Sequence, residues 1–138
     1  ALVADLAAKE VDFASIGTND LTQYSIAVDR MNPALGEYYQ NYHPALFRLI
    51  GYVVKSFTQE GKPVSVCGEM GGDPLAAAVL VGLGMSKLSM GAASVARIKK
   101  LLSGLTMEKA RTLAAKVCTL PTNSQVEEYL KAELSPLL

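Results

Sequence analysis

Three times along this chain a short apolar run closes on glycine and passes into a segment with helical spacing: Val11–Gly17, Val64–Gly68 and Leu88–Gly91. Runs of this length ended by Gly have the dimensions of buried strands. They are mostly apolar, which suits strands with helices on both faces of a sheet. Strand, glycine and helix in repetition predict βα units on a parallel sheet, an α/β fold. Three strands are few, since a closed βα barrel needs eight and open doubly wound sheets use roughly five or more. The count points to a piece of something larger. So do the start at Ala1 without Met and a hydrophobic content of 50%.

The helical segments carry their own punctuation. Leu2, Leu6 and Ala7 share a face of a first helix running into Glu10. Asp20, with Gln23 three residues on, has the form of a capping box for a short helix bearing Leu21, Tyr24, Ser25 and Val28. Residues 31–43, rich in Asn, Tyr, Pro and Gly, read as a long loop. Pro44 suits the first turn of a helix striped by Leu46, Leu49, Ile50, Val53, Val54 and Phe57 and stopped by Gly61. Asp73-Pro74 opens another helix, ending at Gly84, and a further one follows from about Ala93 to Leu102. Beyond Gly104 the pattern is helical throughout. Met107, Ala110, Leu113, Ala114, Val117 and Cys118 share one face, and Ser124 with Glu127 forms a capping box for the last helix. The chain thus divides into βα units over 1–104 and C-terminal helices over 105–138.

Charge and composition exclude several functions. Thirteen basic residues balance thirteen acidic ones, so no cationic excess exists to displace counterions from nucleic acid. The apolar runs are broken by Gly too soon to span a bilayer. Cys67, Cys118 and the single His43 make no zinc set. No secretory leader is visible, and a reducing cytoplasmic setting is the expectation.

In parallel α/β folds ligands meet the carboxyl ends of the strands. The residues there are Gly17-Thr18-Asn19-Asp20, Cys67 to Asp73, and Gly91. Glycines let backbone N–H groups approach an anion. Asn19 can donate and accept, Asp20 is a hard oxygen ligand of the type Mg2+ prefers, and the planar fork of Arg30 suits a phosphoryl group. Cys67 ends a strand and can exchange a proton. Each has a plainer alternative: Asp20 as an N-cap, Asn19 as a turn residue, Arg30 as a solvated charge, Cys67 as a small core residue. Cys118 reads as core, and His43 as a cap or loop contact. From the residues alone the result is an anion-and-metal site.

These residues also carry a resemblance. Ser15-Ile16-Gly17-Thr18-Asn19-Asp20-Leu21-Thr22-Gln23-Tyr24, followed by Asp29-Arg30, resembles the signature of phosphoenolpyruvate-utilising enzymes, closest to enzyme I of the bacterial phosphotransferase system. Val66 to Pro74 and Leu88-Ser89-Met90 resemble the next two strand ends, in order and at the right spacing. The likeness covers about residues 1–120. Ala27 to Pro33 and Glu108 to Val117 look most like the nitrogen-related branch, while pyruvate phosphate dikinase shares the Cys-Gly-Glu segment and Gly-Gly-Asp-Pro.

The resemblance implies the last part, about three βα units, of a (β/α)8 TIM barrel that binds phosphoenolpyruvate and Mg2+ and forms a homodimer. It implies transfer of the phosphoryl group to a His on a separate domain and then to a small His-containing carrier protein, releasing pyruvate. By position, Asn19 would contact substrate, Asp20 would be one Mg2+ ligand, Arg30 a phosphate clamp, and Cys67 the proton donor to the enolate. A second metal ligand, further arginines and the phosphorylated His would lie before Ala1, so the chain alone is expected to be inactive. Two rivals remain: a non-catalytic dimerisation or interaction module, and a dikinase-like enzyme.

Overall fold

The three glycine-closed runs pair side by side in the computed structural model, which describes residues 1–138. In chain order the elements are α1 (Ala4–Glu10), β1 (Ala14–Gly17), α2 (Thr18–Ser25), α3 (Pro44–Gln59), β2 (Val64–Cys67), α4 (Pro74–Gly82), β3 (Lys87–Leu88), α5 (Ala92–Ser103), α6 (Met107–Val117) and α7 (Asn123–Leu134). Short 3-10 turns cover Pro33–Tyr38 and Glu69–Gly72. The strands are parallel, in the order β1-β2-β3. Ala14 stands opposite Val64, Gly17 opposite Cys67 and Val66 opposite Leu88. The result is a mixed α/β protein with a small parallel sheet, whose strand carboxyl ends share one edge. No helix is long and apolar enough to cross a membrane.

Burial follows the stripe of α3, where Leu46, Ile50, Val53, Val54 and Phe57 are buried and Phe47 joins them. Each such side chain removed from water stabilises the fold by about 1.5–3 kcal/mol before entropy is counted. The central element is α4. Every residue from Pro74 to Leu80 is buried, and α3, α5, α6 and α7 pack around it. A helix apolar on all sides needs such a sleeve. It approaches α6 so closely that a Cβ at Gly82 would lie 2.0 Å from the carbonyl oxygen of Ala110. Its start is fixed by Asp73, whose Oδ1 accepts the N–H of Ala76 at 2.8 Å. At α3, His43 Nδ1 accepts the N–H of Ala45 at 3.3 Å. His43 is therefore a cap.

Several local expectations are corrected. In α1 the buried residues are Ala4 and Ala8, because the helix meets α3 through small side chains; Leu2 and Leu6 stay exposed. Helix α2 starts at Thr18 with Gly17 as N-cap, so Asp20 lies inside the first turn and caps nothing. Its inner face is Thr18 and Thr22, while Tyr24 faces solvent. The hydrogen bond of Thr18 to the next strand selects that face. The loop at 31–43 contains the Pro33–Tyr38 turn, opened by Asn32 Oδ1 accepting the Ala34 N–H.

The third strand is shorter than Leu88–Gly91 and begins one residue earlier, although Ser89 still donates its N–H to Val66 O at 2.9 Å. In α6, Met107 is exposed and Cys118 is half-buried. Burial pushes the Cys118 thiol pKa upward, against a smaller lowering by Arg48. The cap of the final helix lies two residues earlier than Ser124: Thr122 Oγ1 accepts the N–H of Gln125 at 3.3 Å. Thr122-x-x-Gln125 satisfies the same pattern as Ser124-x-x-Glu127.

Candidate active site

The Gly17–Cys67 pairing sets the end of β1 beside the end of β2. Cys67 is exposed, so it is not the core residue that its apolar strand suggested. Position explains this: Val64 and Val66 point into the core, and the thiol lies at the last strand residue, where the sheet opens. Its Sγ donates to the carbonyl of Ile16 across the strand gap at 3.6 Å. Thr18, 1% exposed, donates from Oγ1 to the carbonyl of Cys67 at 3.2 Å.

Gly68 follows with φ +115°, a conformation that side chains rarely adopt. A Cβ there would come within 2.4 Å of Thr18 Oγ1 and 3.3 Å of Asn19 Oδ1. The two strand tips are therefore in contact through residues without bulk.

Asn19 and Asp20 occupy the first turn of α2, where N–H groups are free and the helix dipole favours anions. Tyr39, from the Pro33–Tyr38 turn and its flank, donates its hydroxyl to the carbonyl of Asn19 at 3.1 Å. Arg30 returns from beyond α2: Nη1 donates to Asp20 Oδ1 at 2.8 Å, and its N–H donates to Gln23 Oε1 at 3.2 Å. A cavity of about 450 Å³ is lined by Asn19, Asp29, Arg30, Tyr39 and Glu69 among others. Asp20 lines a different, largely apolar cavity with Tyr24, Val53 and Phe57. Cys67 lies outside both.

The structure thus brings Asn19 and Arg30 to one cavity, links Asp20 to that cavity through Arg30, and keeps Cys67 on the neighbouring tip.

Asp20 offers a metal one carboxylate. Oδ1 holds Arg30 and no protein donor reaches Oδ2. No group of three or more His, Cys, Asp or Glu side chains gathers anywhere in the chain. Mg2+ takes one or two carboxylates and completes its shell with water and phosphate oxygens, so Asp20 fits as one donor of an incomplete set.

The sequence places Thr18 and Glu69 at strand ends without marking a role for either, and gives Tyr39 no mark at all. Thr18 was visible, lying between two singled-out residues, but its burial depends on the cross-strand partner. Tyr39 lies in a segment whose composition reads as loop. Glu69 lines both the Asn19–Arg30 cavity and a second one, of about 390 Å³, with Tyr42, Asp73, Ser94 and Arg97. In that second cavity Tyr42 donates its hydroxyl to Asp73 Oδ2 at 2.9 Å.

Amide, carboxylate and thiol groups stand at the carboxyl ends of a parallel sheet, the edge at which α/β proteins of the ligand-binding class receive their ligands. Comparison with known proteins narrows the class: residues 1–107 match the PEP-binding domain of PEP-utilising enzymes, and the chain belongs to that family. It is 44% identical over 131 residues to a phosphoenolpyruvate-protein phosphotransferase of Bacillus subtilis, covering 95% of this chain and 23% of that protein. A Geobacillus stearothermophilus protein of the same name is 45% identical over 135 residues, covering 98% and 23%. One from Haemophilus influenzae is 43% identical over 131 residues, covering 95% and 23%. The chain spans about a quarter of the length of these relatives.

Proposed function

We propose that this chain supplies the phosphoenolpyruvate-binding strand tips of a phosphoenolpyruvate-protein phosphotransferase. The sheet is then the last three βα units of a (β/α)8 barrel, followed by C-terminal helices over 105–138. Parallel strands in chain order, with polar residues at their carboxyl ends, support that reading. The observation that carries the proposal is the pairing of Gly17 with Cys67, which makes the Asn19-Asp20 tip and the thiol neighbours.

In this reading Asn19 orients the substrate and Arg30 clamps its phosphoryl group. Asp20 gives one oxygen to Mg2+, which when bound neutralises charge on the phosphoryl oxygens. The bond between phosphorus and the enol oxygen breaks, and the phosphoryl group passes to a His nitrogen on a separate domain. The electron pair stays with the enolate. Cys67 then gives its proton to the methylene carbon and pyruvate leaves. The phosphoryl group moves on to a small His-containing carrier protein. Oδ2 of Asp20 is open to a metal while Oδ1 holds Arg30, and turning Arg30 toward a phosphoryl group would loosen that pair. An exposed pair of this kind is worth only about 0–1 kcal/mol, so substrate binding can reorganise it.

Ala27 to Pro33 and Glu108 to Val117 support the nitrogen-related branch. We also propose a homodimer in the cytoplasm.

The test is phosphoenolpyruvate-dependent pyruvate release by the full-length polypeptide, with and without Asn19→Ala. Activity in the parent and its loss in the variant are expected, and a parent without turnover sinks the proposal. The isolated 138-residue chain should be inactive; turnover by it would show that the residues outside it are dispensable.

A second reading, a non-catalytic interaction module, is favoured by one observation. Leu2, Val3, Leu6, Phe13 and Tyr24 are all exposed on the α1 and β1 side. Apolar surface of this kind seeks a partner. Sedimentation at high concentration tests self-association, which both readings expect, and phosphoenolpyruvate turnover by the full-length polypeptide separates them.

A further inference from the structure

We propose that Thr18 is a positioning residue for the Cys67 thiol, acting through a hydroxyl that holds the main chain of Cys67 against the end of β1. This rests on the reading of Cys67 as proton donor and deepens it.

Two hydrogen bonds run in opposite directions across the same strand gap. The Thr18 hydroxyl donates to the carbonyl of Cys67 at 3.2 Å, and the Cys67 thiol donates to the carbonyl of Ile16 at 3.6 Å. Their β1-side partners, Ile16 and Thr18, flank Gly17, the residue paired with Cys67. The cysteine is therefore gripped at both its main chain and its side chain by one three-residue stretch. Thr18 is buried to 1% exposure, and a buried hydroxyl must find an acceptor or lose stability. Here the acceptor is the peptide that sets the direction of the reactive side chain.

Gly68 is the other half of the device. With φ +115° and a would-be Cβ 2.4 Å from Thr18 Oγ1, it leaves the space that the hydroxyl fills. Only a residue without a side chain lets the turn after Cys67 pass this close to α2. Helix α2 also carries Asn19 and Asp20, so the same contact fixes the thiol relative to the substrate-binding residues.

A proton donor works only within hydrogen-bond reach of the atom it protonates, and small misplacement is costly. A thiol on the last residue of an exposed strand end has little packing of its own to hold it. The Thr18 contact supplies that constraint.

The experiment compares Thr18→Val, which keeps the shape and removes the hydroxyl, with Thr18→Ser, which keeps the hydroxyl. Both are made in the full-length polypeptide. One readout is turnover with phosphoenolpyruvate. Thr18→Val should lower kcat by about tenfold with KM within about twofold of the parent, and Thr18→Ser should recover most of the rate. The other readout needs no activity: the rate of Cys67 alkylation by iodoacetamide, followed on the Cys67 peptide by mass spectrometry. Loss of the grip should speed it about threefold or more in Thr18→Val and not in Thr18→Ser.

Equal alkylation rates and equal kcat in parent and Thr18→Val overturn the proposal. So does a Thr18→Ser as impaired as Thr18→Val, since the methyl group would then be what matters. Should Thr18→Val not fold, Thr18→Ala removes the same hydroxyl with less bulk. A parent without phosphoenolpyruvate turnover overturns the phosphotransferase reading, and the alkylation contrast then decides Thr18 by itself.

Discussion

Arg30 reaches back ten residues to set Nη1 2.8 Å from Oδ1 of Asp20, and both side chains remain substantially exposed, at 37% and 67%. The pair joins the candidate phosphate clamp to the candidate metal ligand before any ligand arrives. Arg30→Lys keeps the charge but loses the planar fork. Because an exposed pair contributes at most about 1 kcal/mol, thermal unfolding should barely change. Turnover of the full-length enzyme should fall about tenfold or more, with a higher KM for phosphoenolpyruvate. Melting curves beside steady-state kinetics separate the two effects. A large loss of stability with intact kinetics would make Arg30 structural.

Gly82 tests the packing beneath the site. A Cβ at this position would lie 2.0 Å from the carbonyl oxygen and 2.5 Å from the carbonyl carbon of Ala110, both main-chain atoms that cannot turn aside. Gly82→Ala must therefore push α6 away from α4. Although alanine is the better helix former, the substitution should destabilise by about 1–3 kcal/mol. A lower urea midpoint at unchanged slope would report it; a neutral or stabilising result would mean that the two helices are not in contact in solution.

How much of this is legible in the sequence depends on whether a signal is local. The βα order, Pro44 and Pro74 at helix starts, and the stripe of α3 were readable because each is written in neighbouring residues. The inner faces of α1 and α2 were not. Leu2 and Leu6 are the more apolar pair, yet Ala4 and Ala8 are buried because the distance between α1 and α3 suits small side chains. Thr18 and Thr22 turn inward because a carbonyl 49 residues away requires a donor. The strand ends that carry Asn19, Asp20 and Cys67 are legible in the sequence, and the grouping of their side chains is not. The Arg30–Asp20 contact and the separation of Asp20 and Asn19 into different cavities depend on where residues 26–39 return.

Tyr42 ties the loop before α3 to two other parts of the chain. Its hydroxyl donates to Asp73 Oδ2 and its N–H donates to Asn123 Oδ1 at 2.9 Å. Burial raises its phenol pKa above the ordinary 10.0, and the charge and hydrogen bond of Asp73 raise it further. In the unfolded chain the phenol ionises near 10, while in the folded chain it keeps its proton to higher pH. Its contribution is therefore complete below pH 10 and declines as pH rises towards the folded value. Tyr42→Phe should cost about 1 kcal/mol at neutral pH for the lost hydrogen bond. The variant should also lose stability less steeply than the parent above pH 10. Urea unfolding at pH 7, 9, 10 and 11 checks both, and parallel slopes above pH 10 would rule out the Tyr42 contribution.

Cys67→Ser bears on the chemistry most directly. The hydroxyl is close in size to the thiol and can still donate to Ile16 O, so the strand tips should keep their arrangement. As an acid, however, it is weaker by many orders of magnitude, and a proton donor must be matched to the carbanion it quenches. Phosphoenolpyruvate affinity and the first phosphoryl transfer should stay near normal, because neither needs that proton. Pyruvate formation should slow by at least about a hundredfold, the scale usual for removing a general acid. Rapid-quench measurement of phosphorylated enzyme against pyruvate separates the steps: phosphoenzyme should appear at the parent rate while pyruvate lags. If both products appear together at the parent rate, the proton comes from elsewhere and Cys67 has no catalytic part. If both are abolished together, the thiol serves binding rather than proton transfer.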